Sequence, residues 1–178
     1  DVKGEGQLSS DGWCGPFPVR VGSLGRHLNR SEAANLGLEL VRGDYITFLD
    51  DDDWLFPNHI SLLAGALQSI PNVKAAYAGV VCRQQQPDGT WETVRVYNEP
   101  YDPARLLTEN YLPIHAVMFA RELLTPSLRF DESLEVYEDW DFWIQLNILT
   151  AFSHVDRISA VYRIAPTSGF AVRDGDPQ

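Results

Sequence analysis

Four aspartates in a row, Asp50 to Asp53, follow directly on a short apolar run, residues 44–49 (DYITFL). A run of this length and β-rich composition reads as a buried strand. In open α/β sheets the carboxyl ends of strands are where ligands bind. Crowded carboxylates repel, at about 1 kcal/mol for a pair 4 Å apart in water and about 4 kcal/mol at an effective dielectric of 20. A divalent cation removes that cost, and magnesium is commonly held by one or two carboxylates together with phosphates. If the chain stays extended beyond Leu49, alternation puts Asp50 and Asp52 on one side. The competing reading is an acidic surface turn leading into a helix near Pro57. A calcium EF-hand loop does not fit, because no glycine stands at its sixth position and no glutamate at its twelfth.

A second acidic group lies far along the chain, in residues 136–143 (VYEDWDFW). Glu138, Asp139 and Asp141 sit among aromatic residues at the start of a helical pattern. They are either first-turn acids favoured by the helix dipole, with Trp140 and Trp143 in the core, or they include a general base whose aromatic walls partly desolvate it.

The rest of the pattern alternates strands and helices and predicts an α/β fold. Helices are expected over residues 31–41, capped by Asn29 or Ser31, then from Pro57 through residues 59–70, and over 102–109 and 138–149. Strands are expected over 19–21, 44–49, 74–83, 90–97, 114–120 and 153–163, with a turn at Pro87-Asp88-Gly89 joining a hairpin. Residues 1–18 and the tail from residue 164 read as loop.

The 178 residues fit a single domain, and 44% hydrophobic with 22% charged residues is ordinary for a globular protein. A net charge of −11 argues against a nucleic-acid partner. No apolar run approaches a membrane span, and the opening DVKGEG is not a signal-peptide pattern. Two cysteines, Cys14 and Cys82, imply no disulfide framework, so a cytoplasmic protein is expected.

Taken together, residues 30–38 (RSEAANLGL), 42–53 (RGDYITFLDDDD), Pro57, 130–132 (FDE) and 138–143 (EDWDFW) resemble the family 2 glycosyltransferases of the GT-A fold, over roughly residues 19–163. The resemblance implies a Rossmann-like mixed sheet flanked by helices. It implies transfer of a sugar from a UDP- or GDP-sugar to the hydroxyl of a saccharide, lipid-linked or protein acceptor, with inversion and with Mg2+ or Mn2+. By position, Asp50 and Asp52 match the D-x-D pair, with Asp52 on the metal, Asp50 on the ribose or metal shell, and Asp53 as a further ligand. Asp139 matches the catalytic base and Glu138 its companion in the donor site. Arg30 stands either where a basic residue meets the diphosphate or as a solvated first-turn arginine. Asn35 reads as a structural hydrogen-bonder.

The sequence also departs from the family pattern. The family's opening strand, helix and strand are absent, and Asp1 aligns near its base-binding acid; a sheet missing that unit is expected to expose an apolar edge, leaving the chain poorly active or prone to associate. Tyr162-Arg163 is followed by Ile164-Ala165 where a histidine is usual, so Arg163 either reaches the diphosphate or pairs with a surface acid. His115 either lines the acceptor site or is a structural histidine. Two other classes compete: a non-catalytic transferase-like module that binds sugar or protein, and a nucleotidyltransferase, which Gly4-Glu5-Gly6 matches poorly.

Overall fold

The computed structural model describes residues 12–14, by backbone only, and 16–164. Asp1, the side chain of Cys14 and the tail from Ala165 lie outside the described residues. Strands β1 (Gly12–Cys14) and β2 (Phe17–Val19) form a small antiparallel pair, with Gly12 opposite Val19. Residues 1–18 are thus not all loop, and the strand expected over 19–21 lies two residues earlier. Glycine and proline density argues for loop, but Pro16 sits in the connecting turn and Pro18 is tolerated in a strand with a free edge.

The main sheet has six strands. β3 (Tyr45–Thr47), β7 (Val117–Ala120), β5 (Ala75–Gln85), β8 (Phe152–Ile164) and β4 (Trp54–Leu55) lie in that order, and β6 (Trp91–Tyr97) pairs with the far half of β5. β5 and β8 are parallel, and the remaining pairings are antiparallel, so the sheet is mixed as expected. β5 is central: Ala75 to Val80 are all buried, the continuous apolar run of a strand covered on both faces. Gly79 makes room there: a Cβ would meet the ends of two side chains, Asn98 Oδ1 at 2.5 Å and Ile158 Cδ1 at 2.6 Å, which would have to shift, where the ladder to β8 is irregular.

Alternation along β5 and β7 divides the core. Ala76, Ala78 and Met118 meet Leu63 and Leu67 of helix α2 (His59–Ser69). Ala75, Tyr77, Val117 and Phe119 face the larger cluster with Phe142, Trp143 and Leu146 of helix α4 (Glu138–Leu149). Both tryptophans of α4 satisfy their indole N–H groups on carbonyls, Trp140 on Leu106 at 2.7 Å and Trp143 on Leu112 at 3.0 Å. Phe142 stacks on Phe130 with centroids 4.3 Å apart. Burial pushes the Cys82 thiol up to about 12, so it is an inert core side chain.

Helix α1 (Arg30–Leu40) starts at a capping box, in which Asn29 Oδ1 accepts from Glu32 N at 2.8 Å and Glu32 Oε2 accepts from Asn29 N at 2.9 Å. Pro57 is not in the first turn of α2: the helix begins at His59 with Asn58 as N-cap, after a turn in which His59 N–H bonds Phe56 O at 2.9 Å. Helix α3 (Pro103–Leu106) is capped by Asp102, as expected, but is shorter than its pattern. Residues 114–116 are a 3₁₀ turn rather than strand, started after Pro113 and closed by Ala116 N–H on Pro113 O at 2.9 Å.

Asn35 joins α1 to the segment before α4. Its Oδ1 accepts from Phe130 N at 2.9 Å, and its Nδ2 donates to Phe130 O and to Glu132 Oε1, both at 3.0 Å. This is the structural role expected of it. Asn35→Ala would orphan a buried peptide N–H and C=O and is expected to lower stability by about 2 kcal/mol, read by urea denaturation.

Candidate active site

β3 ends at Thr47, and Phe48 then anchors the chain among Phe119, Phe130, Phe142 and Trp143. Beyond it the backbone does not stay extended. Asp53 N–H bonds Asp50 O at 3.3 Å, a turn with Asp51 and Asp52 at its centre. The convergence of the acids therefore comes from a turn and not from strand alternation. One oxygen from each of Asp50, Asp52 and Asp53 lies within 4.8 Å of the others, while Asp51 points to solvent. Burial, together with the repulsion of Asp53 and Asp52, holds the Asp50 carboxyl above its ordinary range against the pull of Arg30.

Asp53 is the most enclosed of the four. Its Oδ1 accepts from Arg163 N at 2.8 Å, and its Oδ2 lies 3.0 Å from His115 Nδ1. Both side chains are wholly buried, and their contact is close but bent away from hydrogen-bond alignment. Behind His115 lies His59, also wholly buried, with Nδ1 2.8 Å from Ser159 Oγ. Burial first, and then His115, lowers His59 to about 4, so His59 is neutral at pH 7.

The second acidic group begins α4. Tyr137 occupies the N-cap in the left-handed region, φ 66°, and Glu138 follows as a buried residue. Asp139 Oδ1 accepts from its neighbour Trp140 N at 2.8 Å and from Asn110 Nδ2 at 3.1 Å. Asp141 turns along the helix to accept from Gln145 Nε2 at 2.7 Å.

Arg30 joins the two groups. Its Nη1 is 3.5 Å from Glu138 Oε1. Partial burial works against its charge, and Asp50, Glu138, Tyr162 and Asp139 overcome that and hold the guanidinium above its ordinary value. The aspartate turn and the start of α4 thus share one electrostatic neighbourhood, although their sequences are far apart. Arg163 contributes its main-chain N–H to Asp53 while its side chain is exposed. His115 lies under the aspartate turn rather than on an open surface.

Three participants have no local sequence signal: Asn110 against Asp139, Ser159 against His59, and the pairing of His115 with Asp53. The donor set of the turn, three carboxylates, is hard oxygen chemistry that suits Mg2+ or Mn2+. Its raised Asp50 carboxyl is a charge that a cation would relieve. Among the described residues, no helix is long and apolar enough to cross a membrane.

The family model described as glycosyl transferase family 2 matches residues 9–125. An uncharacterized glycosyltransferase of Haemophilus influenzae is 26% identical over 136 residues, covering 73% of this chain and 45% of its own length. The glycosyltransferase YwdF of Bacillus subtilis is 25% identical over 195 residues, covering 91% of this chain and 72% of its own. Among solved structures, S. aureus TarS 1–349 in complex with UDP-GlcNAc superposes with a TM-score of 0.59 at 16% identity, over 85% of this chain and 44% of that one. The chain therefore spans less than half the length of two of these three. The likeness to TarS establishes the GT-A type of fold.

Burial holds His59 at about 4 in the folded protein, below its ordinary 6.5. Between those values the unfolded chain binds a proton that the native state refuses, so stability falls as pH drops from 6.5 toward 4. The loss attributable to this group is about 3 kcal/mol at most. Urea denaturation across that window is expected to show the slope, and in His59→Asn, which keeps a donor or acceptor toward Ser159, the slope should flatten.

Proposed function

The chain belongs to glycosyl transferase family 2, and on that premise we propose that it moves a sugar from a UDP- or GDP-sugar to an acceptor hydroxyl, with inversion. The observation that carries the reading is Arg30, which stands in contact with Glu138 and in the field of Asp50 and Asp139. A cation-holding turn and a carboxylate base are useful to one reaction only if they border one cavity. The complex of TarS with UDP-GlcNAc supports a nucleotide-sugar donor.

In this reading Asp52 and Asp53 would hold Mg2+ or Mn2+, with Asp50 toward the ribose or the metal shell. When bound, the cation supplies positive charge to the leaving diphosphate. Arg30 and the exposed Arg163 orient that diphosphate, and Glu138 keeps Arg30 on the donor side. Asp139 is the general base. Trp140 N–H and Asn110 fix one of its oxygens, which sets the direction in which the carboxylate accepts a proton. The acceptor oxygen loses its proton to Asp139 as it bonds to the anomeric carbon. The bond from that carbon to the diphosphate oxygen breaks on the opposite face, and the nucleoside diphosphate leaves with the electron pair. The configuration inverts in that single displacement. We place the whole chain, residues 1–178, in one such domain, with a saccharide, lipid-linked or protein acceptor.

Asp139→Asn is expected to lower transfer by about 10²- to 10⁴-fold, followed as nucleoside diphosphate release, while calorimetric affinity for UDP or GDP with Mn2+ stays near wild type. Transfer that survives this change would remove the base assignment. EDTA is expected to abolish transfer and added Mn2+ or Mg2+ to restore it. Sugar or nucleotide binding with no turnover in the wild type would favour the non-catalytic module instead.

A further inference from the structure

We propose that His115 is a positioning residue for the cation site: it holds Asp53 from inside the protein and thereby fixes the turn that gathers Asp50 and Asp52. The proposal rests on the reading of that turn as a cation site.

The geometry is that of a buried clasp. Asp53 and His115 have wholly buried side chains, with Nδ1 and Oδ2 3.0 Å apart. The contact is not an aligned hydrogen bond: Asp53 Oδ2 rests against the polar edge of a buried ring that leaves it no room to move inward. The other oxygen of Asp53 takes the Arg163 main-chain N–H at 2.8 Å. Oδ1 is therefore bonded to the end of β8, and Oδ2 packs against the 3₁₀ turn ahead of β7. The backbone of the same residue closes the aspartate turn, through Asp53 N–H on Asp50 O. Any shift of the Asp53 carboxylate is transmitted to the peptide that brings Asp50 and Asp52 together.

The imidazole is itself held. Its ring leans on Tyr162, with centroids 5.9 Å apart at 34°. His59 lies behind it and bonds Ser159 Oγ, and Ser159 O receives the Phe56 N–H at 2.8 Å. The chain just after the turn is thus fixed to the same strand that carries Arg163. Removing a group that orients a metal ligand typically costs about 10- to 100-fold in metal affinity.

The test is Mn2+ binding alone, followed by electron paramagnetic resonance on the purified protein, with near-ultraviolet circular dichroism and melting temperature on each variant. His115→Leu is expected to lower Mn2+ affinity by about tenfold or more while the fold is retained. His115→Asn places an amide N–H where Nδ1 stands and is expected to stay within about threefold of wild type, whereas His115→Gln places it at Nε2 and should fall with His115→Leu. If His115→Leu does not fold, the contrast of His115→Asn with His115→Gln decides. Equal affinities in those two variants, or wild-type affinity in a folded His115→Leu, overturn the proposal. A wild-type protein that binds no Mn2+ overturns the cation reading itself and this proposal with it.

Discussion

A buried side chain with polar atoms is held by whatever its surroundings supply. At Asp53 the Arg163 main-chain N–H bonds one carboxyl oxygen and the His115 ring packs against the other, and this ties together three pieces of chain that share no sequence neighbourhood. The aspartate turn, the 3₁₀ turn after Pro113 and the last strand all converge on one carboxyl group. The turn cannot be placed without β8 beside it, and β8 owes its position to the long parallel pairing with β5. The core thereby reaches the surface acids: alanine, valine and tyrosine side chains of β5 set the sheet, the sheet sets β8, and β8 sets Asp53.

Around that anchor the charges are arranged by opposition. Asp50 is held above its ordinary range by burial and by neighbouring aspartates, and Arg30 answers it from the start of α1 while also facing Glu138. The capping box at Asn29 and Glu32 fixes where α1 begins, so it also fixes where Arg30 stands. Asn35, one turn later, ties the same helix to the segment before α4. A single short helix therefore sets the spacing between the two acidic groups.

Much of this was legible beforehand where the information is local. Helix α4 follows its pattern over 138–149, and the hairpin of β5 and β6 follows its Pro-Asp-Gly turn, because periodicity and turn chemistry act over a few residues. One of the departures comes from contacts distant in sequence. The backbone turned after Asp50 because Asp53 is drawn inward, a pull that comes from residues far along the chain. Pro57 falls in the turn that precedes α2, which His59 N–H closes on Phe56 O. Residues 114–116 coil because Pro113 starts a turn that strand composition does not reveal.

The sequence by itself determined the chemical inventory: a run of four carboxylates after a strand, a Glu-Asp pair opening an aromatic helix, an arginine at the start of another, and an acidic chain of mixed α/β pattern. These follow from residue identity and short-range spacing. Only the tertiary structure decided which carboxylates face each other, that Asp53 lies against His115, that Asn110 reaches Asp139, and that Arg30 stands between both acidic groups. Those relations are set by sheet order and burial, and the distances they close are between residues that the linear chain keeps apart.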